Sequence, residues 1–272
     1  MSTTTASTSS SSSQHVISRD TPVYQLEVEK AFESLSESER QYSHHLSMAA
    51  FLASPTVLFQ TSPESAPLFA LFLHFLSARP AGSPRLPEDL EVYLSHLFTN
   101  MGNYKSFGDS KFIPAITKED LVALLSASPV WHSKILPLWS RVHEALYSAE
   151  GRELQLGFGP DDGISTYYST HLLKHEAEMV QRFMDSVLQL SPYNTRLFKL
   201  PAAAAGVPHF ELRLASARTG PADDDAVSPL LKTYDFEGIK ITVTRGDHHA
   251  FMQLAVDHLR LAKPHASNDN ER

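Results

Sequence analysis

Apolar residues along the first two-thirds of the chain recur at intervals of three, four or seven positions, which predicts helices. In residues 26–52, Leu35 and Tyr42 share one helical face. Ser36 followed by Glu39 has the spacing of a capping box, so two helices are expected to meet there. Further helices are predicted over residues 67–79, 87–98, 117–128, 131–149 with a kink or a break at Pro137, 170–190 and 247–263.

After residue 190 the period of the pattern changes to two, which predicts strands. Phe210, Leu212 and Leu214 alternate with Glu211 and Arg213. Helices followed by strands are typical of an α+β fold with a small, mainly antiparallel sheet near the C-terminus. Two further alternating runs are residues 195–200 and 234–243, the second with a hairpin turn at Glu237-Gly238.

The two ends of the chain differ in composition from its centre. Residues 1–13 are almost all Ser and Thr and lack the basic start and apolar centre of a secretory signal. We therefore predict a disordered tail over residues 1–20 and a second one over 264–272. Residues 21–263 are predicted to form a single domain, with a helical part (21–190) and a β-rich part that ends in a helix (191–263).

Charge and cysteine content exclude several classes of function. The chain has 23 basic and 31 acidic residues, a net charge of −8, so binding to nucleic acid or an anionic membrane is not expected. Cysteine is absent, which removes disulfides, a thiol nucleophile and thiolate metal ligands and fits a cytoplasmic protein. No apolar run reaches the roughly 18 residues of a membrane span.

Residues 100–112 combine aromatic and polar side chains around two glycines. Such a mixture suits a ligand-facing wall, which needs flat apolar area and a few directed polar groups. Asn103, Tyr104, Lys105 and Asp109 are therefore candidate ligand-binding residues. The alternative is a well-packed loop whose polar groups bond to its own backbone.

Two similar clusters occur later in the chain and complete the set of candidate ligand-binding residues. If the clusters converge, tyrosine hydroxyls and an arginine could hold a carboxylate or carry modest acid–base chemistry. The alternative is that they pack helices onto the sheet. These residues are Tyr167, Tyr168, Tyr193, Asn194 and Arg196.

Five segments, in this order, resemble the N-terminal lobe of the dipeptidyl peptidase III family. This family comprises zinc-dependent aminopeptidases that remove dipeptides from peptide N-termini, and the resemblance runs from about residue 24 to residue 263. It implies that the sheet is part of an incomplete β-barrel against which the helical part packs. Such a sheet either closes in a different way or forms a homodimer through its open edges. The segments are residues 100–112, 163–169, 191–199, 210–216 and 243–247.

The zinc motif of that family is His-Glu, three residues, then a second His. The two His-Glu pairs of this chain, His143-Glu144 and His175-Glu176, lack the second His. Family members are well over twice as long, so the resemblance implies that the catalytic zinc region lies beyond this sequence. We expect no zinc and no other cofactor.

One other metal arrangement is conceivable from spacing. His171 and His175 stand four residues apart on a predicted helix, with Glu178 following. A solvated helix face explains this spacing better, because a chain with 14 histidines produces such pairs by chance.

The sequence thus predicts a truncated relative of dipeptidyl peptidase III without a zinc site and without peptidase activity of its own. It would bind a peptide or small molecule, or act as a scaffold. The alternative is a metal-independent enzyme that uses the tyrosine clusters for isomerisation, cyclisation or hydrolysis of a small molecule.

Overall fold

The computed structural model describes residues 14–22, 24, 26–158, 163–201, 206–222 and 225–272. Contacts divide the chain into two compact units, which we call the helical unit (residues 1–24 and 61–165) and the sheet unit (residues 25–60 and 166–272). Residues 25–60, predicted to belong to the helical part, group with the sheet instead. The prediction of a single domain over residues 21–263 stays a prediction.

The described residues form helices first and strands later, which confirms the α+β class. The helices are α1 (Glu29–Glu33), α2 (Glu37–Ala53), α3 (Pro55–Thr61), α4 (Ser65–Ser77), α5 (Glu88–Asn100), α6 (Lys118–Ser126), α7 (Leu136–Tyr147), α8 (Lys174–Phe183) and α9 (His249–Ala262). The strands are β1 (Thr195–Lys199), β2 (His209–Ala215), β3 (Thr233–Phe236) and β4 (Ile239–Asp247).

The helical unit is built around one apolar core. Helices α4 to α7 supply most of it, and Leu68, Phe72 and Tyr93 are completely buried there. Helix α5 starts after Pro87 and carries acidic residues in its first turn, where negative charge stabilises the helix dipole. Its apolar face explains the regular spacing seen in the sequence.

Residues 14–20 correct the predicted N-terminal tail. Ile17 is buried in the core of the helical unit, and its backbone N–H donates to the carbonyl of Ile113 at 3.2 Å. Arg19 pairs with Asp89 at the start of α5. The tail prediction is therefore wrong for these residues, because an apolar side chain and an ion pair hold them; residues 1–13 lie outside the described residues.

The predicted C-terminal tail also starts with ordered structure. Residues Lys263–His265 form a short 3-10 helix, and Ala266 is buried. The Ser267 hydroxyl donates to Glu271 at 2.9 Å. Ordered structure thus extends to Ala266, and disorder over the exposed residues 267–272 stays a prediction.

The sheet has the strand order β1-β2-β4-β3. Pairs β1/β2 and β3/β4 are antiparallel, whereas β2 and β4 run parallel, with Leu212 opposite Val243. Among the described strands the sheet stays open, as predicted for an incomplete barrel. Glu237 and Gly238 both have positive φ, 45° and 83°, which confirms the predicted hairpin turn. Dimerisation through an open edge stays a prediction.

The helices of the sheet unit include one confirmed cap and one shortened helix. Ser36 and Glu39 form the predicted capping box at the start of α2. The helix predicted over residues 170–190 begins only at Lys174 and ends in a π-helical turn, Met184–Leu188. Because His171 precedes the helix, it cannot pair with His175 in the predicted spacing on one face.

Near Pro137 the predicted break is present, since a π-helical turn, Trp131–Ile135, directly precedes α7. No single helix among the described residues is long and apolar enough to cross a membrane. Only α6 and residues 131–147 pass that test together, by length and composition, and they are bent by 119° to each other.

Candidate functional site

Three of the predicted tyrosines line one cavity in the sheet unit. Its volume is about 260 Å³. Tyr167, Tyr168 and Tyr193 form part of its wall, so two of the three predicted clusters do converge. The remaining lining residues are Ala177, Gln181, Met184, Pro192, Thr195, Leu197 and Leu212.

Backbone pairing at the edge of the sheet positions two of these tyrosines. The N–H of Leu197 in β1 donates to the carbonyl of Tyr167 at 2.8 Å, and the N–H of Ser169 donates to the carbonyl of Leu197 at 3.0 Å. Tyr168 thereby lies beside Leu197 in a parallel bridge. Residues 167–169, which we call the tyrosine segment, thus pair with the edge of the sheet at β1. This pairing fixes the positions of the Tyr167 and Tyr168 backbones and so limits where their rings can point.

Tyr193 approaches the cavity from a different element. It lies in the 3-10 turn Pro192–Asn194 that leads into β1, and the Thr195 hydroxyl closes this turn by donating to the Pro192 carbonyl at 2.8 Å. The Tyr193 side chain is 78% exposed. It therefore forms the outer wall of the cavity, where its loss would not disturb the core.

The floor of the cavity is apolar and its rim carries hydroxyl groups. Ala177 and Met184 come from α8 and the turn that follows it, and Leu212 comes from β2. All three are buried. Asp, Glu, Lys and Arg are absent from the described lining residues. Such a surface suits a neutral group with an aromatic or apolar face and one hydrogen-bonding atom.

The hydroxyls of Tyr167 and Tyr168 are held in their protonated form. Burial, followed by the neighbouring Tyr193, raises the pKa of Tyr167 above its ordinary value. Burial and then Tyr167 raise the pKa of Tyr168 in the same way. At neutral pH both hydroxyls therefore serve as hydrogen-bond donors or acceptors, and neither is a ready general base.

The predicted arginine and asparagine lie outside this wall. Arg196 donates two hydrogen bonds of 2.6 Å each to the Asp247 carboxylate, one from Nε and one from an Nη atom. Its fork therefore already binds a carboxylate of the protein itself. Asn194 is exposed in the turn before β1. Neither residue lines the cavity.

Asn103 and Tyr104 belong to the core of the helical unit. Asn103 is 0% and Tyr104 1% exposed. The Asn103 amide donates to Glu64 Oε1 at 3.2 Å, and the Tyr104 hydroxyl donates to the Glu153 carbonyl at 2.8 Å. These two residues are packed, as the alternative interpretation expected, but their polar atoms bond to Glu64 and Glu153 and not to the backbone of their own loop.

The other two candidates of this loop are exposed. Lys105 and Asp109 both point away from the core, and Asp109 adopts a positive φ of 54°. Asparagine and aspartate tolerate that backbone conformation better than most residues. Their position indicates a turn on the surface of the helical unit.

Sequence reasoning missed Lys111 in the same loop. Its side chain is completely buried, with Nζ 3.7 Å from Glu64 Oε1 and 3.7 Å from Glu153 Oε2. Lysine is rarely buried, so the residue type gave no signal. The only hint was that a lysine directly precedes the aromatic Phe112 in a stretch already rich in aromatics.

The described residues also bear on the question of a metal site. They contain no group of three or more His, Asp or Glu side chains arranged to hold a metal ion. His175 is exposed on α8, while Glu176 beside it faces Lys199, with Oε1 2.6 Å from the lysine Nζ. Glu176 also accepts from the Leu173 N–H at 2.9 Å, and so caps the helix.

Comparison with known proteins shows which peptidases the chain is similar to. The model of peptidase family M49 matches residues 138–272, from within α7 to the end of the chain. The chain is 40% identical to dipeptidyl peptidase 3 of Rattus norvegicus and 39% identical to that of Homo sapiens, each over 95% of its length. The dipeptidyl peptidase 3 of Dictyostelium discoideum is 38% identical over 94% of the chain.

The chain belongs to peptidase family M49. The resemblance predicted from the five segments is thereby confirmed. This M49 chain spans about 37% of the length of the rat and human relatives and 36% of that of the Dictyostelium relative. The matched residues 138–272 include the whole sheet and the cavity lined by Tyr167, Tyr168 and Tyr193, which we call the tyrosine cavity.

Proposed function

We propose that these 272 residues bind a neutral aromatic or apolar group, such as a peptide side chain, in the tyrosine cavity, and that they do not hydrolyse peptides by themselves. The observation that carries the binding proposal is the convergence of Tyr167, Tyr168 and Tyr193 on one apolar floor. Aromatic rings offer large contact area, and their hydroxyls can orient a ligand.

The size of the cavity narrows the class of ligand. Its volume of about 260 Å³ is just below the roughly 300 Å³ at which typical ligand pockets begin. One or two side chains of a peptide fit this space better than a cofactor. The uncharged lining disfavours a carboxylate or phosphate group, because burying an unpaired charge is costly.

The second half of the proposal rests on residues of the sequence. The relatives are named dipeptidyl peptidase 3. Within the present 272 residues neither His143-Glu144 nor His175-Glu176 is followed by the second His that the family's zinc motif requires. Catalytic zinc sites use three protein ligands, so the motif is incomplete in this chain.

The alternative of a metal-independent acid–base enzyme has less support. It requires a group that exchanges a proton near neutral pH. The pKa values of Tyr167 and Tyr168 are raised instead, first of all by burial. The cavity therefore favours binding over proton transfer.

Equilibrium dialysis with N-acetyl-phenylalanine amide tests the binding proposal. We expect saturable binding that the Tyr193→Ala variant weakens about fivefold, because one aromatic wall is worth about 1 kcal/mol. Tyr24→Ala is the matched control, since Tyr24 is 84% exposed and does not line the cavity. Equal affinity in parent and Tyr193→Ala, or no binding at all, would contradict the proposal.

A separate assay tests the absence of hydrolysis. The purified chain is incubated with a dipeptidyl arylamide, with and without added Zn²⁺. We expect no release of the arylamine above the buffer rate. Chelator-sensitive release would overturn this half of the proposal and leave the dialysis result standing, so the two halves fail independently.

A further inference from the structure

A cluster of histidines lies between α2 and α9 in the sheet unit. The Nδ1 atoms of His45 and His258 are 3.1 Å apart, and their ring centroids are 5.3 Å apart. The ring of His44 lies 5.0 Å from that of His45 and 6.5 Å from that of His258. The tyrosine cavity uses none of these residues.

Packing of the two helices brings this pair together across 213 positions of sequence. Helix α2 packs along α9. One turn after His45 stands Ala49, and about one turn before His258 stands Ala255; both alanines are buried. Small residues next to the pair allow the helices to approach closely, so both half-buried imidazoles must share the space between them.

The nitrogen atoms of the pair have the spacing of two ligands on one metal ion. Zinc–imidazole bonds of about 2.0–2.1 Å at a tetrahedral angle put ligand nitrogens about 3.3 Å apart. A square-planar Cu²⁺ or Ni²⁺ ion with bonds of similar length brings them to about 2.9 Å. The observed contact is a hydrogen bond between the two imidazoles, and its length of 3.1 Å lies between these two values, so an ion that replaces the shared proton needs little movement of either ring.

We propose that His45 and His258 form a two-imidazole site for a divalent transition-metal ion such as Zn²⁺, Ni²⁺ or Cu²⁺, which bridges α2 and α9. Water would occupy the remaining coordination positions. The described residues contain no third ligand arranged with the pair, which distinguishes this site from a four-ligand structural zinc centre. Binding is therefore exchangeable.

The surroundings of His45 suit this role. Burial, followed by the neighbouring His44, His258 and His265, lowers the pKa of His45 below its ordinary value. Neutral imidazole is the form that ligates metal. The lowered pKa therefore favours the form of His45 that can ligate a metal ion.

Isothermal titration of the metal-free chain with Zn²⁺ at pH 7.5 tests the site. We expect saturable binding that His45→Gln and His258→Gln each weaken by about 100-fold, because either change turns a chelate into a single ligand. Mg²⁺, which prefers oxygen ligands, should not bind there. The matched control is the double variant His171→Gln/His175→Gln, whose histidines are exposed elsewhere in the sheet unit.

Three results would overturn the proposal: no Zn²⁺ binding by the parent, unchanged binding in both test variants, or an equal loss in the control. A second measurement on the unaltered chain covers the case in which a test variant misfolds. Substoichiometric Cu²⁺ should broaden the imidazole NMR signals of His45 and His258 first. Uniform broadening of the exposed histidines would speak against the pair.

Discussion

The side-chain nitrogen of Lys111 lies 3.7 Å from Glu64 Oε1 in the core of the helical unit. Lys111 is completely buried and Glu64 is 7% exposed. The Asn103 amide donates to Glu64 Oε1 at 3.2 Å, and the Tyr104 hydroxyl shares its single proton between the Glu153 carbonyl at 2.8 Å and Glu64 Oε1 at 3.2 Å. Lys111 Nζ has no hydrogen-bond partner among the described residues. The buried carboxylate is thus compensated by one cation, one amide donor and a shared hydroxyl proton.

Replacing the cation tests how strongly the core depends on it. Lys111→Met leaves the Glu64 carboxylate buried without a counter-charge, so the free energy of unfolding should fall by about 3 kcal/mol. Lys111→Met/Glu64→Gln should recover most of the loss, since the amide oxygen can still accept from Asn103 and Tyr104. Urea denaturation measures both.

The control for this pair is Lys105→Met, an exposed lysine in the same loop. Its stability should stay within about 0.5 kcal/mol of the parent. If Lys111→Met costs no more than Lys105→Met, the buried ion pair contributes nothing to stability.

Arg196 provides a test that separates structural from ligand-binding roles. Its two 2.6 Å hydrogen bonds reach Asp247, whose side chain is 7% exposed. Arg196→Lys cannot form both bonds, so we expect a loss of about 1–2 kcal/mol in unfolding free energy. The affinity for N-acetyl-phenylalanine amide should not change. A loss of affinity without a loss of stability would contradict this account and show that Arg196 binds the ligand.

Acid should weaken the ion pair between Asp225 and Arg245. A hydrogen bond from Arg245 lowers the pKa of Asp225 from its ordinary 3.8 to about 2. Because the pKa is lower in the folded state, the stabilisation is present above about pH 4 and disappears as the pH falls from 4 towards 2. The difference in urea midpoint between the parent and Asp225→Asn should therefore shrink over that range. A difference independent of pH would contradict this assignment.

Alanine substitutions at two glycines with positive φ distinguish the cost of backbone strain from the cost of a steric clash. Gly108 (φ 91°) has open space where a Cβ would be, whereas at Gly163 (φ 133°) a Cβ would stand 2.5 Å from the Gln155 carbonyl oxygen. Gly108→Ala should cost about 1 kcal/mol from strain alone. Gly163→Ala should cost about 2 kcal/mol more, because the backbone must move. Equal melting temperatures of the two variants would contradict this prediction and show that the backbone around Gly163 moves without a measurable cost.

Features set by a few adjacent residues were predictable from the sequence. The Ser36–Glu39 capping box and the Glu237-Gly238 turn depend on local spacing and on backbone conformations that these residues adopt readily. Alternation in β2 likewise follows from one buried and one half-buried face. These elements could be predicted because their causes lie within a few positions.

Long-range pairing could not be predicted in this way. The parallel register of β2 and β4 joins strands whose alternation fits either direction. The partner of Arg196 is 51 residues away, and that of Tyr104 is 49 residues away. Composition pointed to polar and aromatic clusters but could not distinguish a donor used inside the protein from one that faces a ligand.

The candidate site shows the same limit. Tyr167, Tyr168 and Tyr193 share a cavity because the tyrosine segment pairs with Leu197 at the sheet edge, an arrangement that spacing does not encode. Asn103 and Tyr104 have similar neighbours in sequence, yet they are buried in the helical unit. Similar composition therefore led to two different environments.

A titration of the tyrosine-labelled chain with N-acetyl-phenylalanine amide, followed by NMR, tests the central claim most directly. We predict saturable shifts of the ring signals of Tyr167, Tyr168 and Tyr193, with the signals of the buried Tyr93 and Tyr104 unchanged. Shifts confined to tyrosines outside the cavity, or an absence of shifts at saturating probe, would contradict the proposal that this M49 chain binds its ligand there.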